Sequence, residues 1–381
     1  MDPLTIYFIV PRIERTGGYE HQALALAQAL LRDPSVQLRI VTDTPAARRN
    51  ELPASVQSCC ESFEARSPAT LYRSFSKEFS AARRRAPTVV HAHALYRFSA
   101  SALAAALRHN LPTLLKLPTE HDASMLFESK RPGIRVFRPV LKRLDAFVCP
   151  SRAVVDELQR HINRTDQAVF LPNAVDTFRF RPAEEQERRT QRLQLAIPFE
   201  HVILFVGRHV TRKGGDVLLR AFAKCGPSLS PSVGLVFLGD GDRKPDWRKL
   251  ARTLGIGDRV MFFDSHRSPE PFYNAADAFV LPSLFEGMPN ALLEAMASGL
   301  PCLASQIGGV TDVLEDSFTG QLFPAGSVDA LAAKLPGVLL PDARPIGSAM
   351  RTHVEAFHSV ETISRQLIAL YRKLIAGRVM P

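Results

Sequence analysis

The chain has 381 residues, 46% hydrophobic and 23% charged, with 48 Lys+Arg against 38 Asp+Glu. Such a length suggests about two domains, and the composition is that of an ordinary folded protein, not a disordered or fibrous one. No run of 18 apolar residues reads as a membrane span, and five cysteines (Cys59, Cys60, Cys149, Cys225, Cys302) show no metal or disulfide spacing, as reduced cytosolic thiols would.

The net charge of +10 is lopsided: residues 1–180 carry +8 of it. A basic half points to an anionic partner surface, whether phospholipid, lipid-linked phosphate or nucleic acid. No nucleic-acid-binding motif accompanies the charge, so nucleic acid is set aside.

From the start, "LTIYFIV" reads as a first strand. It lacks the basic flank and cleavage site of a signal peptide. A turn with Gly17 and Gly18 follows, then the helical "YEHQALALAQALLRD". The glycines would let backbone amides approach a phosphate ahead of that helix. "QLRIVTD", "TVVHAHA", "PTLLKLP", "AFVCPS" and "AVFLPN" continue the strand series with helical stretches between several of them. His91 and His93 share a strand face, but no third ligand is near in sequence, so no metal is expected. "TEHDAS" (119–124) reads as a polar loop at a strand's carboxyl end and makes His121 a site candidate. Residues 125–145 hold six basic residues against Glu128 and Asp145, interleaved with apolar ones. That mixture suits a surface on anionic lipid, or a helix with its apolar face in the core.

The polar "PNAVDTFRFRPAEEQERRTQRLQLAIP" reads as a linker, and after residue 200 the pattern restarts with "VILFVG", "VGLVFLG", "VMFFDS", "AFVLPS", "PCLAS" and "GQLF". Short apolar runs alternating with helices indicate buried parallel strands and doubly wound sheets. The expected architecture is α/β, with two Rossmann-like domains facing across a cleft. The boundaries are 1–175 and 176–359, and the last helix, about 360–381, either closes the second domain or crosses back onto the first.

Arg208 and Lys213 flank a strand-to-helix turn that Gly214-Gly215 end, a plausible diphosphate site of two cations beside helix-terminal amides. "GDGD" (239–242) reads as a Gly/Asp turn and helix cap, not a metal site. In "LFEGMPNALLEAMASGLP", Glu286 lies on a loop and Glu294 near the start of the following helix, which Pro289 opens. Exposed amides and the positive helix end face that loop, which suits a hydroxyl-rich ligand with an anionic part.

With these pieces placed, the sequence resembles family-4 glycosyltransferases of the GT-B fold over nearly its whole length. The resemblance rests on Glu286 and Glu294 in "SLFEGMPNALLEAMASGLPCLAS" and on Arg208 and Lys213 in "VGRHVTRKGG". "GGYEHQ", "PSRAVVDEL", "PNAVDTFRF" and "IGGVTDVLEDSFTGQLF" add further matches. It implies that Glu294 binds the ribose hydroxyls and that Glu286 holds the donor sugar. It implies that Arg208 and Lys213 grip the diphosphate, with amides of Gly17 and Gly18 reaching it from the first domain, and that His121 lies beside the transferred sugar. Where many members carry Glu-Gly-Phe-Gly-Leu, this chain has Glu286-Gly287-Met288-Pro289-Asn290. Met288 and Asn290 thus join the candidates for nucleotide-sugar binding. Pro289 removes one amide donor, and the Asn290 side chain can supply another.

The resemblance implies a retaining transfer of a hexose or N-acetylhexosamine from a UDP-sugar, more than a GDP-sugar, to a hydroxyl acceptor. The acceptor would be a lipid-linked or surface-glycan intermediate, and no metal or other cofactor would be required. The alternatives are a nucleotide-sugar epimerase of the same fold and a non-catalytic nucleotide-sugar-binding protein. A cytoplasmic enzyme, peripheral on the membrane face, is the expected setting.

Overall fold

The computed structural model describes residues 3–13, 18–45, 48, 52–63, 67–226, 229–266, 268–314 and 316–379. The chain divides into two compact units, one of Met1–Ala174 with Val360–Pro381, the other of Val175–Ser359.

The first unit is built on seven parallel strands. They are β1 (Leu4–Ile9), β2 (Val36–Thr42), β3 (Cys60–Ser62), β4 (Thr88–Ala92), β5 (Thr113–Lys116), β6 (Ala146–Cys149) and β7 (Ala168–Phe170), ordered β3-β2-β1-β4-β5-β6-β7. Side chains alternate faces along a strand. Ile6 and Phe8 therefore enter a core with Leu26, Leu30 and Tyr371. Tyr7 and Ile9 enter the opposite one with Phe75, Phe79 and Phe147. Helices cover both faces, which is why the strands read as unbroken apolar runs.

The last helix, Val360–Val379, lies on this unit. Tyr371 Oη and His91 Nδ1 form a 2.7 Å hydrogen bond, Arg32 pairs with Glu361 at 3.2 Å, and Arg378 grips Asp145.

The second unit has six parallel strands. They are β8 (His201–Val206), β9 (Val233–Leu238), β10 (Val260–Phe263), β11 (Ala278–Leu281), β12 (Cys302–Gln306) and β13 (Leu322–Pro324), ordered β10-β9-β8-β11-β12-β13. Winding reverses once in each sheet, between β1 and β4 and between β8 and β11. Ligands of such sheets bind beyond the carboxyl ends of the strands at that reversal.

Three sequence expectations need correction. The stretch after residue 172 is not a free linker. Asn173 and Ala174 belong to the first unit: the Gln22 side-chain amide donates to Ala174 O (2.7 Å) and accepts from Ala174 N (2.9 Å), and Lys116 Nζ donates to Asn173 Oδ1 (2.8 Å). Further on, the helix Glu185–Gln194 docks on the second unit, with Arg192 donating to Ala275 O and Asp277 Oδ2 at 2.8 and 2.7 Å. A helix that anchors itself through arginine shows little apolar periodicity.

Residues 120–124 are not loop but the opening of the helix Glu120–Glu128, where Thr119 and Asp122 form a capping box. Residues 125–145 are not one amphipathic helix. That stretch runs from the end of Glu120–Glu128 through the short helices Pro132–Arg135 and Arg138–Leu141, with prolines at 132 and 139. Leu126, Leu141 and Leu144 are buried, whereas Lys130, Arg131, Arg135, Lys142 and Arg143 are exposed.

Candidate functional site

At the carboxyl ends of β8, β11 and β12, neighbours in the second sheet, three loops meet backbone to backbone. The turn Thr211–Lys213 follows β8 and ends at Gly214, whose φ of +64° is left-handed. A Cβ on Gly214 would also lie 2.0 Å from Pro282 O. Glycine therefore meets a conformational and a steric demand at once. Leu284 N donates to Arg212 O at 2.7 Å, fastening the loop after β11 to that turn. From the other side, a Cβ on Gly309, just past β12, would sit 1.7 Å from Gly287 O. The loop carrying Glu286 is thus clamped between two glycine contacts.

Glu286 is 8% exposed at its side chain. Lys213 Nζ is ion-paired with Oε1, Ser283 Oγ donates to Oε1 at 2.8 Å, and Arg212 Nη1 reaches Oε2 at 3.2 Å while its guanidinium lies 5.3 Å from the Phe285 ring centre. Burial alone would raise the carboxyl pKa. Lys213 first, then Arg212 and Ser283, outweigh that and hold it below the ordinary value. The result is an anchored carboxylate with two cations at one switch point.

Glu294 occupies the middle of the helix Asn290–Ala297. Its Oε2 accepts from the buried Tyr273 hydroxyl at 2.7 Å. Burial raises its pKa, and the Tyr273 hydrogen bond and the Arg179 charge offset this only in part. No hydrogen bond joins Glu286 to Glu294 among the described residues.

The other candidates are scattered. Arg208 is exposed, and its side chain makes no hydrogen bond or ion pair among the described residues. Met288 is 6% exposed, its side chain in the apolar core of the unit, and Asn290 is the first residue of the helix. Gly18 begins the helix Gly18–Leu30 in the first unit, and Gly17 lies outside the described residues. His121, exposed, is the second residue of Glu120–Glu128, also in the first unit.

The structure thus joins Lys213 to Glu286 and adds Arg212, Ser283, Tyr273 and Gly309, which the sequence reading missed. Arg212 had a signal, a cation next to Lys213. Tyr273 had none, because it lies 21 residues from Glu294 on another helix.

"GDGD" is a structural turn. Asp240 accepts from Ser265 N (2.8 Å) and Oγ (2.5 Å), bonds that bring its pKa down to about 2. His91 and His93 stack at 4.4 Å inside the first unit, and burial brings His91 down to about 3. Among the described residues no group of three or more His, Cys, Asp or Glu side chains is placed to hold a metal ion.

Comparison with known proteins matches each half to a family profile. Residues 16–179 match the one described as Glycosyltransferase Family 4, and 187–343 the one described as Glycosyl transferases group 1. Among curated proteins, the D-inositol 3-phosphate glycosyltransferase of Mycobacterium marinum is 34% identical over 251 residues, 59% of this chain and 53% of that protein. The Mycobacterium tuberculosis counterpart is 34% identical over 245 residues, 58% and 50%. The chain spans about half the length of these relatives. Among solved structures, Anabaena Alr3699/HepE in complex with UDP and glucose superposes with a TM-score of 0.79 at 19% identity, covering 97% of this chain and 99% of that one. Sucrose-phosphate synthase from Thermosynechococcus elongatus gives 0.72 at 22%, covering 98% and 99%.

Proposed function

The chain belongs to glycosyltransferase family 4, with the GT-B fold, and we propose that it moves a hexose or N-acetylhexosamine from a nucleoside diphosphate sugar to a hydroxyl acceptor with retention at the anomeric carbon. The observation that carries this reading is the Glu286–Lys213–Arg212 arrangement beyond the carboxyl ends of β8 and β11.

Chemically, the departing diphosphate gains negative charge. Lys213 and Arg208, both on the strand-to-helix turn after β8, would stabilise it, each contributing about 3 kcal/mol as preorganised charge. The Lys213 ammonium has three donors, so it can hold Glu286 and a phosphate oxygen together. Glu286, ionised and fixed, would accept from donor-sugar hydroxyls. Glu294 has one oxygen engaged by Tyr273 and offers the other to ribose hydroxyls. The amides at Gly17 and Gly18, the loop at Met288 and Asn290, and His121 complete the proposed set. No protein nucleophile is assigned. The leaving phosphate itself would take the acceptor proton on the same face of the sugar.

UDP is the preferred carrier, since the Anabaena neighbour binds UDP. An anionic hydroxyl acceptor, the class to which the inositol 3-phosphate in the relatives' names belongs, suits the basic first unit. A lipid-linked phosphate is the form proposed, as in surface-glycan assembly. Among the described residues no helix is long and apolar enough to cross a membrane. Contact with the cytoplasmic membrane face would come from the exposed cations of 125–145, each worth about 1 kcal/mol near anionic lipid.

The test is a panel of UDP- and GDP-sugars assayed for slow hydrolysis by the whole chain and by Lys213→Met. Release of one sugar by the wild type and its collapse in the variant is the expected outcome. No hydrolysis and no calorimetric binding of any donor would overturn the reading.

A further inference from the structure

On the first unit a pocket of about 380 Å3 opens among the helices Pro68–Ala82, Arg97–Arg108 and Arg138–Leu141. Ala104, Leu107, Pro139 and Val140 give it apolar walls, and Tyr72, Arg108 and Arg143 bring polar groups to it. None of these three polar side chains has a hydrogen-bond or ion-pair partner among the described residues. Arg135, Lys142 and the apolar Val136, 66% exposed, belong to the same stretch of chain.

No carboxylate among the described residues pairs with Arg108 or Arg143. Glu78, on the helix Pro68–Ala82, is taken by Arg39 and Tyr7, and Asp145, just past Arg143, by Arg378. His109, beside Arg108, registers the surplus. Burial, then Arg108 and Arg83, lower its pKa despite its hydrogen bond with Ser76.

Two guanidinium forks and a phenol hydroxyl against an apolar wall match an ester of phosphate carried on an aliphatic body. A small inorganic anion would leave the apolar walls unused. A nucleic acid would call for exposed stacking rings, and Tyr72 is the one aromatic side chain in the lining. We propose that this pocket binds the phosphate of an anionic phospholipid headgroup and so docks the first unit on a membrane surface. The inference rests on the membrane reading above and gives it a location, where Tyr72 and Arg108 join Pro139, Val140 and Arg143 of the 125–145 segment.

The experiment is flotation of the whole chain with phosphatidylglycerol vesicles and, separately, with phosphatidylcholine vesicles. Arg108→Gln/Arg143→Gln is compared with Arg220→Gln/Arg344→Gln, which removes the same charge from exposed positions of the second unit. The expected result is about fivefold weaker partition for each cation lost from the pocket, roughly 25-fold for the pair, with the control pair within about twofold of wild type. Tyr72→Phe, which changes no charge, weakens partition about fivefold, the usual net worth of one hydrogen bond of about 1 kcal/mol. Equal weakening by both Gln pairs would overturn the pocket and leave the membrane reading standing, because attachment would then follow net charge alone. Absence of wild-type binding to phosphatidylglycerol, or equal binding to both vesicle types, would overturn both.

Discussion

Glu286 and Glu294 stand eight residues apart in one loop-and-helix segment, and the fold treats them in opposite ways. Burial pushes both carboxyls up. At Glu286, Lys213 and Arg212 more than reverse that push, so the anion is the state the fold is built around. At Glu294 the compensation is a neutral phenol and the Arg179 charge, and the pKa stays raised. The contrast shows that residue type and spacing do not fix a carboxylate's role. The cations brought to it from elsewhere in the chain do.

The sharpest way to break the contrast is to remove the cation. Lys213→Met leaves Glu286 buried with Arg212 alone, and losing one partner of a buried pair costs about 3–5 kcal/mol. We expect a stability loss of that order, read by denaturant melts, and a fall in turnover of about 100-fold or more. A variant as stable as wild type would show that the pair does not hold the loop.

Arg208→Ala separates charge from architecture. It should also lower turnover about 100-fold, yet move stability by no more than about 0.5 kcal/mol, because its exposed side chain has no partner among the described residues. Normal turnover in a folded protein would remove Arg208 from the diphosphate site.

Gly309→Ala tests the clamp from its far side. The added methyl meets Gly287 O, and overpacking of this kind costs about 1–3 kcal/mol. The Glu286 loop should loosen, seen as faster hydrogen exchange at residues 284–288. Unchanged exchange would show that the loop does not depend on the glycine contact.

The mildest prediction is one of sign. A lowered folded pKa contributes stability above the ordinary carboxyl range that is lost as pH falls through the lowered value. A raised one contributes stability below that range that is lost as pH rises through the raised value. Glu286→Gln should therefore lower the melting temperature at pH 7 and converge with wild type in acid. Glu294→Gln should raise it by about 2–4 °C at pH 7, the shift roughly 1 kcal/mol makes in a unit this size, and lose the gain near pH 4. The same Glu294→Gln change should weaken binding of free nucleoside diphosphate in calorimetry. Melting shifts of one sign for both would dissolve the comparison.

The strands were legible because parallel sheets buried on both faces write themselves as apolar runs; Cys60–Ser62, three residues with no such run, escaped. Glu286 was legible as a carboxylate on a loop entering a helix. Its partners were less so, since Lys213 lies 73 residues away and only the neighbouring strands β8 and β11 bring the two together. The His121 segment was misread as loop although Thr119 and Asp122 carry the capping-box spacing, a signal that short polar stretches easily conceal. The helix Glu185–Gln194 was hidden because arginine, not leucine, fastens it.

The closing helix has a consequence for how the protein is made. Ile6 and Phe8 leave the ribosome before the whole of Val175–Ser359, but Ile363, Leu367 and Tyr371, which share their core, leave it after. The first unit can therefore complete its core only after the second has been made, and until then the sheet face that the helix Gly18–Leu30 shares with the closing helix is only partly covered. During that interval the nascent protein leaves part of an apolar sheet face exposed, the kind of exposure that recruits chaperones and seeds aggregation. A premature stop between Ser359 and Val379 would make that transient condition permanent.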